Sequence, residues 1–155
     1  MWDWSLEPTA SLYHTANSLE PLHAQFDYLK NTVSVVNDYY RSFNNYKVIA
    51  RVYDINSRKV YEESASVNLP EDGVANDVLT IRFPENISQV HFIKLVLKDE
   101  KGKDVSSNFY WRSNDKYEGS KTLTGPASSG FEDLNKLKAA NVKLSYKARQ
   151  AEKCV

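Results

Sequence analysis

The sequence predicts an all-β protein, an antiparallel β-sandwich of about seven strands followed by a short C-terminal helix and an extra strand. Apolar and polar residues alternate in short segments, as in strands with one buried face. These segments recur about every ten residues, and turn-forming residues separate them. The alternation is clearest where Ile93, Leu95 and Leu97 precede a polar turn that contains Gly102. Such a series of strands is typical of the immunoglobulin-like sandwich.

The first two strands are predicted to form a hairpin. Residues 22–28 place Leu22, Ala24 and Phe26 on one face, and residues 32–36 follow after a short turn. The polar and aromatic residues 37–45 are then expected to form a loop.

Three further strands are predicted in the middle of the chain. Residues 46–55 and 59–69 alternate in the same way as the first hairpin. Residues 70–75 contain Pro, Asp and Gly and are expected to form a loop. Residues 77–83 form the next predicted strand, which Pro84 ends because proline cannot donate a hydrogen bond to the sheet.

The last predicted hairpin spans residues 90–111. Its second strand is expected to turn one set of side chains toward the core: Val105, Ser107, Phe109 and Trp111. Tyr110 then lies on the opposite face, where it could contact a neighbouring domain.

Residues 1–19 are interpreted as an N-terminal arm, with one helical turn before Pro21. Trp2 and Trp4 can each bury about 150–250 Å² of surface, so we expect them to pack against this domain or a neighbouring one. Tyr13 joins them, with Tyr110, as a candidate interdomain contact.

The C-terminal part of the chain has a different character from the sandwich at residues 20–112. Residues 113–130 are rich in Ser, Gly, Lys and Asn and are predicted to be a linker. Residues 131–155 are interpreted as a helix and the start of a following domain. Ser129 and Glu132 have the spacing of a capping box, and residues 141–146 alternate as a strand does.

Composition argues against several functions. The 20 basic and 20 acidic residues balance, whereas a nucleic-acid surface needs an excess of Lys and Arg. No apolar run approaches the roughly 20 residues of a membrane helix. Neither nucleic acid nor a membrane is therefore an expected partner. Cys154 is the one cysteine, so no disulfide can form within the chain.

The sequence offers little for catalysis. His14, His23 and His91 lie far apart, without the short ligand spacing of a metal site. No nucleophile elbow or phosphate-binding loop is present. Neighbouring acidic residues, such as Glu62 and Glu63, fall in turns or at exposed positions and are interpreted as surface charge. We expect no cofactor, no metal and no catalytic residue.

The loop after the second strand contains the best candidate ligand-binding residues. Tyr39, Tyr40 and Phe43 could stack on sugar rings, since aromatic faces suit such contacts. Alternatively, these residues cap one end of the sandwich or dock onto a neighbouring domain.

Several stretches together resemble one known region, the immunoglobulin-like domain that follows the (β/α)₈ barrel in family 2 glycoside hydrolases of the exo-β-D-glucosaminidase and β-mannosidase type. The stretches are WDWSLEPTASLY (2–13), LEPLH (19–23), VVN (35–37), VYD (52–54), LVLKDEKG (95–102) and SNFYW (107–111). The resemblance covers residues 2–112 and, more loosely, the tail.

The resemblance implies that this chain is a non-catalytic accessory domain of a larger glycosidase acting on β-linked glucosamine or mannose. In that family the catalytic glutamates lie on the barrel, and the acid/base follows an asparagine. Here Glu85 and Asn86 stand in the reverse order, so no catalytic residue is carried over. The implied partners are the barrel and neighbouring sandwich domains of the same parent chain, with an oligosaccharide as a further possible ligand. The sequence does not define the location, although the parent is expected to be secreted or periplasmic. An independent carbohydrate-binding module is the alternative function.

Overall fold

The protein folds as two antiparallel sheets packed face to face, and the computed structural model describes residues 4–5, 7–114, 130–143 and 145 of the chain. One helix, α1 (Ala10–Ser18), precedes the sandwich. The strands are β1 (Leu22–Asp27), β2 (Thr32–Asn37), β3 (Phe43–Asp54), β4 (Lys59–Leu69), β5 (Gly73–Thr80), β6 (Val90–Lys98) and β7 (Asp104–Ser113). A 3₁₀ helix, Glu132–Lys136, follows.

The strand order confirms the predicted immunoglobulin-like architecture. One sheet has the order β1-β2-β5 and the other the order β4-β3-β6-β7. The constant-type immunoglobulin fold places its fourth strand in the sheet of the first strand. Here β4 pairs with β3 instead, so the sheet of the first strand has three strands and the other sheet has four.

The core lies between the sheets and contains the inward side chains of both. Val48, Ala50 and Val52 of β3 are fully buried, as predicted, and they face apolar residues of the smaller sheet. The rest of the core consists of Leu22, Ala24, Phe26, Val33, Val35, Val67, Leu69, Leu79, Ile81, Ile93, Leu95 and Leu97. Burial of these side chains is the main source of stability, at about 25 cal/mol per Å² of apolar surface.

Two strands begin earlier than predicted, and β5 ends at Thr80 rather than at residue 83 before Pro84. β3 begins at Phe43, so the loop that precedes it is shorter than expected. β5 begins at Gly73, inside the predicted loop, and pairs there with Asn37. A side chain at Gly73 would place its Cβ 2.7 Å from Cγ of Pro70, so only glycine fits without movement of the proline.

The orientation predicted for β7 is wrong, because a β-bulge shifts its register by one residue. Lys98 pairs with Asp104, but the residue before it in β6, Leu97, pairs with Ser106 rather than with Val105. Side chains alternate with a period of two, so one extra residue turns every later side chain to the opposite face. Phe109 and Trp111 are therefore exposed.

The inward face of β7 is polar because it lies beside the unpaired edge of β1. Nδ2 of Asn108 donates a hydrogen bond to the carbonyl oxygen of Ala24 at 2.7 Å. The amide of Phe26 donates to the hydroxyl of Tyr110 at 3.2 Å. These bonds satisfy backbone groups that β1 leaves without a strand partner, and they close the open side of the sandwich.

The terminal segments agree only partly with the prediction. α1 has nine residues rather than a single turn. The residues 141–143 and 145 are exposed and form no strand, while Leu144 and Tyr146 lie outside the described residues. The predicted linker is described only at positions 113, 114 and 130, and Ser129 of the capping box also lies outside. Glu132 accepts a hydrogen bond from the amide of Gly130. Within the described parts of the chain, no helix has the length and apolar character to cross a membrane.

Candidate functional site

The loop between β2 and β3 is held by one buried polar side chain, Asn37. Its Nδ2 donates hydrogen bonds to the carbonyl oxygens of Arg41, at 2.9 Å, and Pro70, at 2.6 Å. Its Oδ1 accepts a hydrogen bond from the amide of Tyr39 at 3.1 Å. The loop is therefore preorganised rather than an open, unsupported connection.

The aromatic residues of this loop do not form a single flat platform. The rings of Tyr39 and Phe43 meet edge to face, with centroids 5.8 Å apart. The guanidinium of Arg41 lies 5.5 Å from the ring of Tyr39 and 4.7 Å from that of Phe43. Phe43 also packs against the core. Tyr40 is 88% exposed and Tyr39 is 41% exposed, so Tyr40 has the ring most open to a ligand among the three.

The predicted contacts of the N-terminal arm are exposed where they are described. Trp4 is 96% exposed, and Tyr13, on α1, is 60% exposed. Trp2 lies outside the described residues. Packing of Trp4 or Tyr13 on the flank of this domain is therefore not observed, and a contact with another domain stays a prediction.

Tyr110 faces the interior of the sandwich, so its predicted outward orientation is wrong. Its ring lies 5.9 Å from that of Phe26 and 6.0 Å from that of Tyr28, centroid to centroid. Burial raises the pKa of Tyr110 above its ordinary value, although the hydrogen bond from the amide of Phe26 acts in the opposite direction. This hydroxyl is thus a neutral structural group.

Four other aromatic residues form a cluster on the outer face of the larger sheet. This outer aromatic patch consists of Tyr53, Phe92, Phe109 and Trp111. Tyr53 pairs across the strands with Phe92, which in turn pairs with Trp111. Phe92 and Phe109 stack with their centroids 5.6 Å apart and their planes at 22°. Phe109 is 51% exposed and Trp111 is 58% exposed.

Sequence reasoning missed this patch, although one signal pointed to it. Phe92 has the outward parity of Lys94, opposite to Ile93 and Leu95. An aromatic residue at an outward position of a strand calls for a partner on the same face. The bulge that brings Trp111 there could not be recognised from alternation alone.

The carboxylates of the described residues show no arrangement for acid–base chemistry. Glu62 accepts hydrogen bonds from Nζ of Lys59 and Nε of Arg51, each at 2.8 Å. These two partners lower the pKa of Glu62 to about 2. Among the described residues, no three His, Cys, Asp or Glu side chains are grouped so that they could hold a metal ion.

A shallow groove of about 320 Å³ lies between α1 and β7. His14 and Asn17 line it on one side, and Ser107 and Phe109 line it on the other. None of the residues that line the groove is an Asp, Glu, Lys or Arg. Phe109 belongs both to this groove and to the outer aromatic patch.

Fold and surface together define an immunoglobulin-like domain with exposed aromatic residues and no clustered catalytic groups among the described residues. Comparison with known families assigns this domain to one family. The chain belongs to the Mannosidase Ig/CBM-like domain family, whose model matches residues 30–117.

The curated proteins it matches are exo-β-D-glucosaminidases. The chain is 28% identical to that of Streptomyces avermitilis over 113 residues, which cover 72% of the chain and 12% of the relative. It is 27% identical to that of Hypocrea virens over 146 residues, which cover 90% of the chain and 16% of the relative. The chain thus spans only about an eighth of the first of these relatives.

Solved structures share the fold. The exo-chitosanase CsxA of Amycolatopsis orientalis superposes with a TM-score of 0.68 at 24% sequence identity. The match covers 73% of this chain and 13% of the chitosanase. The same TM-score and identity hold for that enzyme in complex with a β-D-glucosamine derivative. At this identity the likeness supports the fold alone.

Proposed function

We propose that this chain is a non-catalytic accessory domain of a family 2 glycoside hydrolase that cleaves β-linked glucosamine or mannose, and that it braces the catalytic barrel of a longer parent chain. The family match across residues 30–117 carries the proposal. Relatives that are exo-β-D-glucosaminidases, and that are far longer than the matched region, support it.

The exposed arm supports contact with a neighbouring domain. Trp4 and Tyr13 are largely open to water in this domain, although an aromatic side chain gains most from burial. In the proposed parent, residues 1–19 leave the barrel and these rings pack against it. Residues 131–155 then lead toward a following sandwich domain.

The carboxylates of the described chain support the non-catalytic role. A glycosidase needs two carboxyl groups about 5–9.5 Å apart across the scissile bond, one of them with a raised pKa. Here the pKa values that depart from the ordinary carboxyl range do so downward, at Asp27, Glu62 and Asp104. Each of these groups accepts hydrogen bonds from its own surroundings and stays ionised.

A hydrolysis assay tests this role. The purified chain should release no nitrophenol from nitrophenyl β-D-glucosaminide or β-D-mannoside, while an active exo-β-D-glucosaminidase serves as the positive control. Turnover above the rate of the buffer would contradict the proposal.

Sequencing the gene upstream of Trp2 gives a second test, since a barrel with an Asn-Glu pair is expected there.

A carbohydrate-binding module is the second candidate function, and the exposure of Tyr40 on a preorganised loop favours it. Calorimetric titration with chitosan and manno-oligosaccharides should then give heat that Tyr40→Ala abolishes. Tyr13→Ala is the matched control, because Tyr13 is also exposed but lies on α1. An absence of heat, or equal heat in Tyr40→Ala, removes this candidate.

A further inference from the structure

We propose that the outer aromatic patch is a docking surface for another domain of the same parent chain, one that presents an apolar centre with carboxylates beside it. This inference rests on the proposed function, because it needs a longer parent chain. It assigns the contact to the outer face of β3, β6 and β7, which is distinct from the N-terminal arm.

The geometry of the patch suits a protein surface. Tyr53, Phe92 and Trp111 are direct cross-strand neighbours, so their side chains lie on one face across three strands. Tyr53 and Phe92 are half-buried there, whereas Trp111 is exposed. Phe109 stacks on Phe92 and extends the patch along β7. Aromatic surface left open to water on one face of a sheet is typical of interaction sites, and aromatic residues buried at interfaces supply much of their energy.

The charges beside the patch indicate a partner with carboxylates. Lys94 is the cross-strand neighbour of both Phe109 and Arg51. Arg51 pairs with Glu62, whereas Lys94 takes part in no ion pair within the described part of the chain. Its charge helps to lower the pKa of Asp104, but the ion pair of that carboxylate is with Lys98. Complementary charge at an interface fixes the partner and its orientation, so a carboxylate opposite Lys94 is favoured.

The same lysine argues against two other occupants. A protonated amino sugar polymer would bring ammonium groups to a surface that already carries Lys94, which has no ion pair among the described residues. A symmetric dimer would place the same patch on both sides of the interface and so bring two copies of Lys94 into one contact region. Like charges at an interface are costly.

The position of the patch in the chain also fits. β7 is the last strand of the sandwich, and the chain continues for dozens of residues beyond Ser113. The relatives extend much further, since this chain covers about 12% of the first of them. Most of the surface of such a parent belongs to other domains.

Trp111→Lys tests the docking surface, with Leu29→Lys as the matched control. Both residues are exposed and apolar, but Leu29 lies in the turn between β1 and β2. In the 155-residue chain Leu29→Lys should leave the melting temperature unchanged, and Trp111→Lys should lower it by no more than about 4 °C, because it removes one cross-strand pair with Phe92. In the parent chain, Trp111→Lys alone should accelerate thermal inactivation of hydrolysis at least about tenfold, as loss of an interface hot spot would. Equal inactivation of the two variants would overturn the inference.

Cross-linking identifies the occupant. A carbodiimide should join Lys94 of the parent to a carboxylate of another domain, and Trp111→Lys should reduce the yield of that product. A concentration-dependent dimer of the 155-residue chain that Trp111→Lys abolishes would assign the patch to self-association. Quenching of tryptophan fluorescence by chitosan oligosaccharides that Trp111→Lys abolishes would assign the patch to sugar, and either result overturns the inference.

The outcomes separate this inference from the proposed function. If the parent hydrolyses β-glycosides but Trp111→Lys behaves as the control does, the docking surface is wrong and the proposed function stands. If the parent hydrolyses no β-glycoside but Trp111→Lys lowers its melting temperature more than that of the 155-residue chain, the proposed function fails and the docking surface stands.

Discussion

Asn37 stabilises the β2–β3 loop from inside the domain. Its side chain is fully buried and has three backbone partners, in Tyr39, Arg41 and Pro70. A buried polar group is stable only when its hydrogen bonds are made. The end of β2, the β2–β3 loop and the Pro70 turn therefore meet at one amide group, which positions Tyr40 at the surface.

Replacement of Asn37 should be costly. Asn37→Ala leaves two carbonyl oxygens and one amide without their partner, so we expect the free energy of unfolding to fall by about 1–3 kcal/mol or more. Urea unfolding measures the change. Asn86→Ala is the control, since Asn86 is exposed. Its free energy of unfolding should differ from that of the unsubstituted chain by less than about 0.5 kcal/mol. An equal effect of the two substitutions would contradict the role of Asn37.

His91 is a buried histidine whose Nε2 has no hydrogen-bond partner in the described structure. Burial is the main cause that lowers its pKa, a hydrogen bond with the carbonyl of Ser88 opposes this, and the charge of Arg112 lowers it further. Asp54 is its cross-strand neighbour on β3, and Phe83 covers its ring. The folded state therefore favours the neutral imidazole.

The pH dependence of stability follows from this pKa. The unfolded chain binds the proton more tightly, so the contribution of His91 is fully present above the ordinary histidine pKa of 6.5. It is lost as the pH falls below that value toward the lower pKa of the folded state. His91→Leu should flatten the fall of the urea midpoint on the acid side. His14→Leu controls for loss of an exposed imidazole, and an unchanged slope in His91→Leu would contradict the assignment.

At the scale of the strands, alternation predicted most of the sandwich but not the faces of β7. All seven strands lie within a few residues of their predicted positions, because apolar alternation reports directly on one buried face. The bulge opposite Lys98 depends on a single extra residue, and the sequence pattern before and after it is equally regular. Register was therefore the property that alternation could not determine.

The closure of the sandwich by β7 can be tested at Tyr110. Tyr110→Phe removes the oxygen that accepts the Phe26 amide, so that amide should exchange faster with deuterium by about threefold to tenfold. Exchange measured by NMR at single residues gives the result. Tyr13→Phe changes an exposed hydroxyl and should leave the exchange of Phe26 unchanged. Equal exchange in Tyr110→Phe would show that the hydroxyl does not protect this edge.

At the scale of the whole molecule, fold and family followed from the sequence more readily than the binding surfaces. The resemblance in short stretches identified the family, which the match at residues 30–117 confirms. The guanidinium of Arg41 lies over the rings of the predicted sugar contacts Tyr39 and Phe43. The spacing of these residues in the sequence does not reveal this intramolecular contact. The outer aromatic patch depends on the bulge and was beyond sequence reasoning for the same reason as the faces of β7.

If the sandwich braces a catalytic barrel, hydrolysis by the parent chain should be lost on heating when the sandwich unfolds. Leu95 is fully buried, so Leu95→Ala should destabilise the sandwich by about 2–5 kcal/mol without touching the barrel. Exposed Leu29→Ala is the control. Leu95→Ala should lower the temperature at which hydrolysis is lost together with the unfolding temperature of the sandwich. Hydrolysis that survives after the sandwich has unfolded would contradict it.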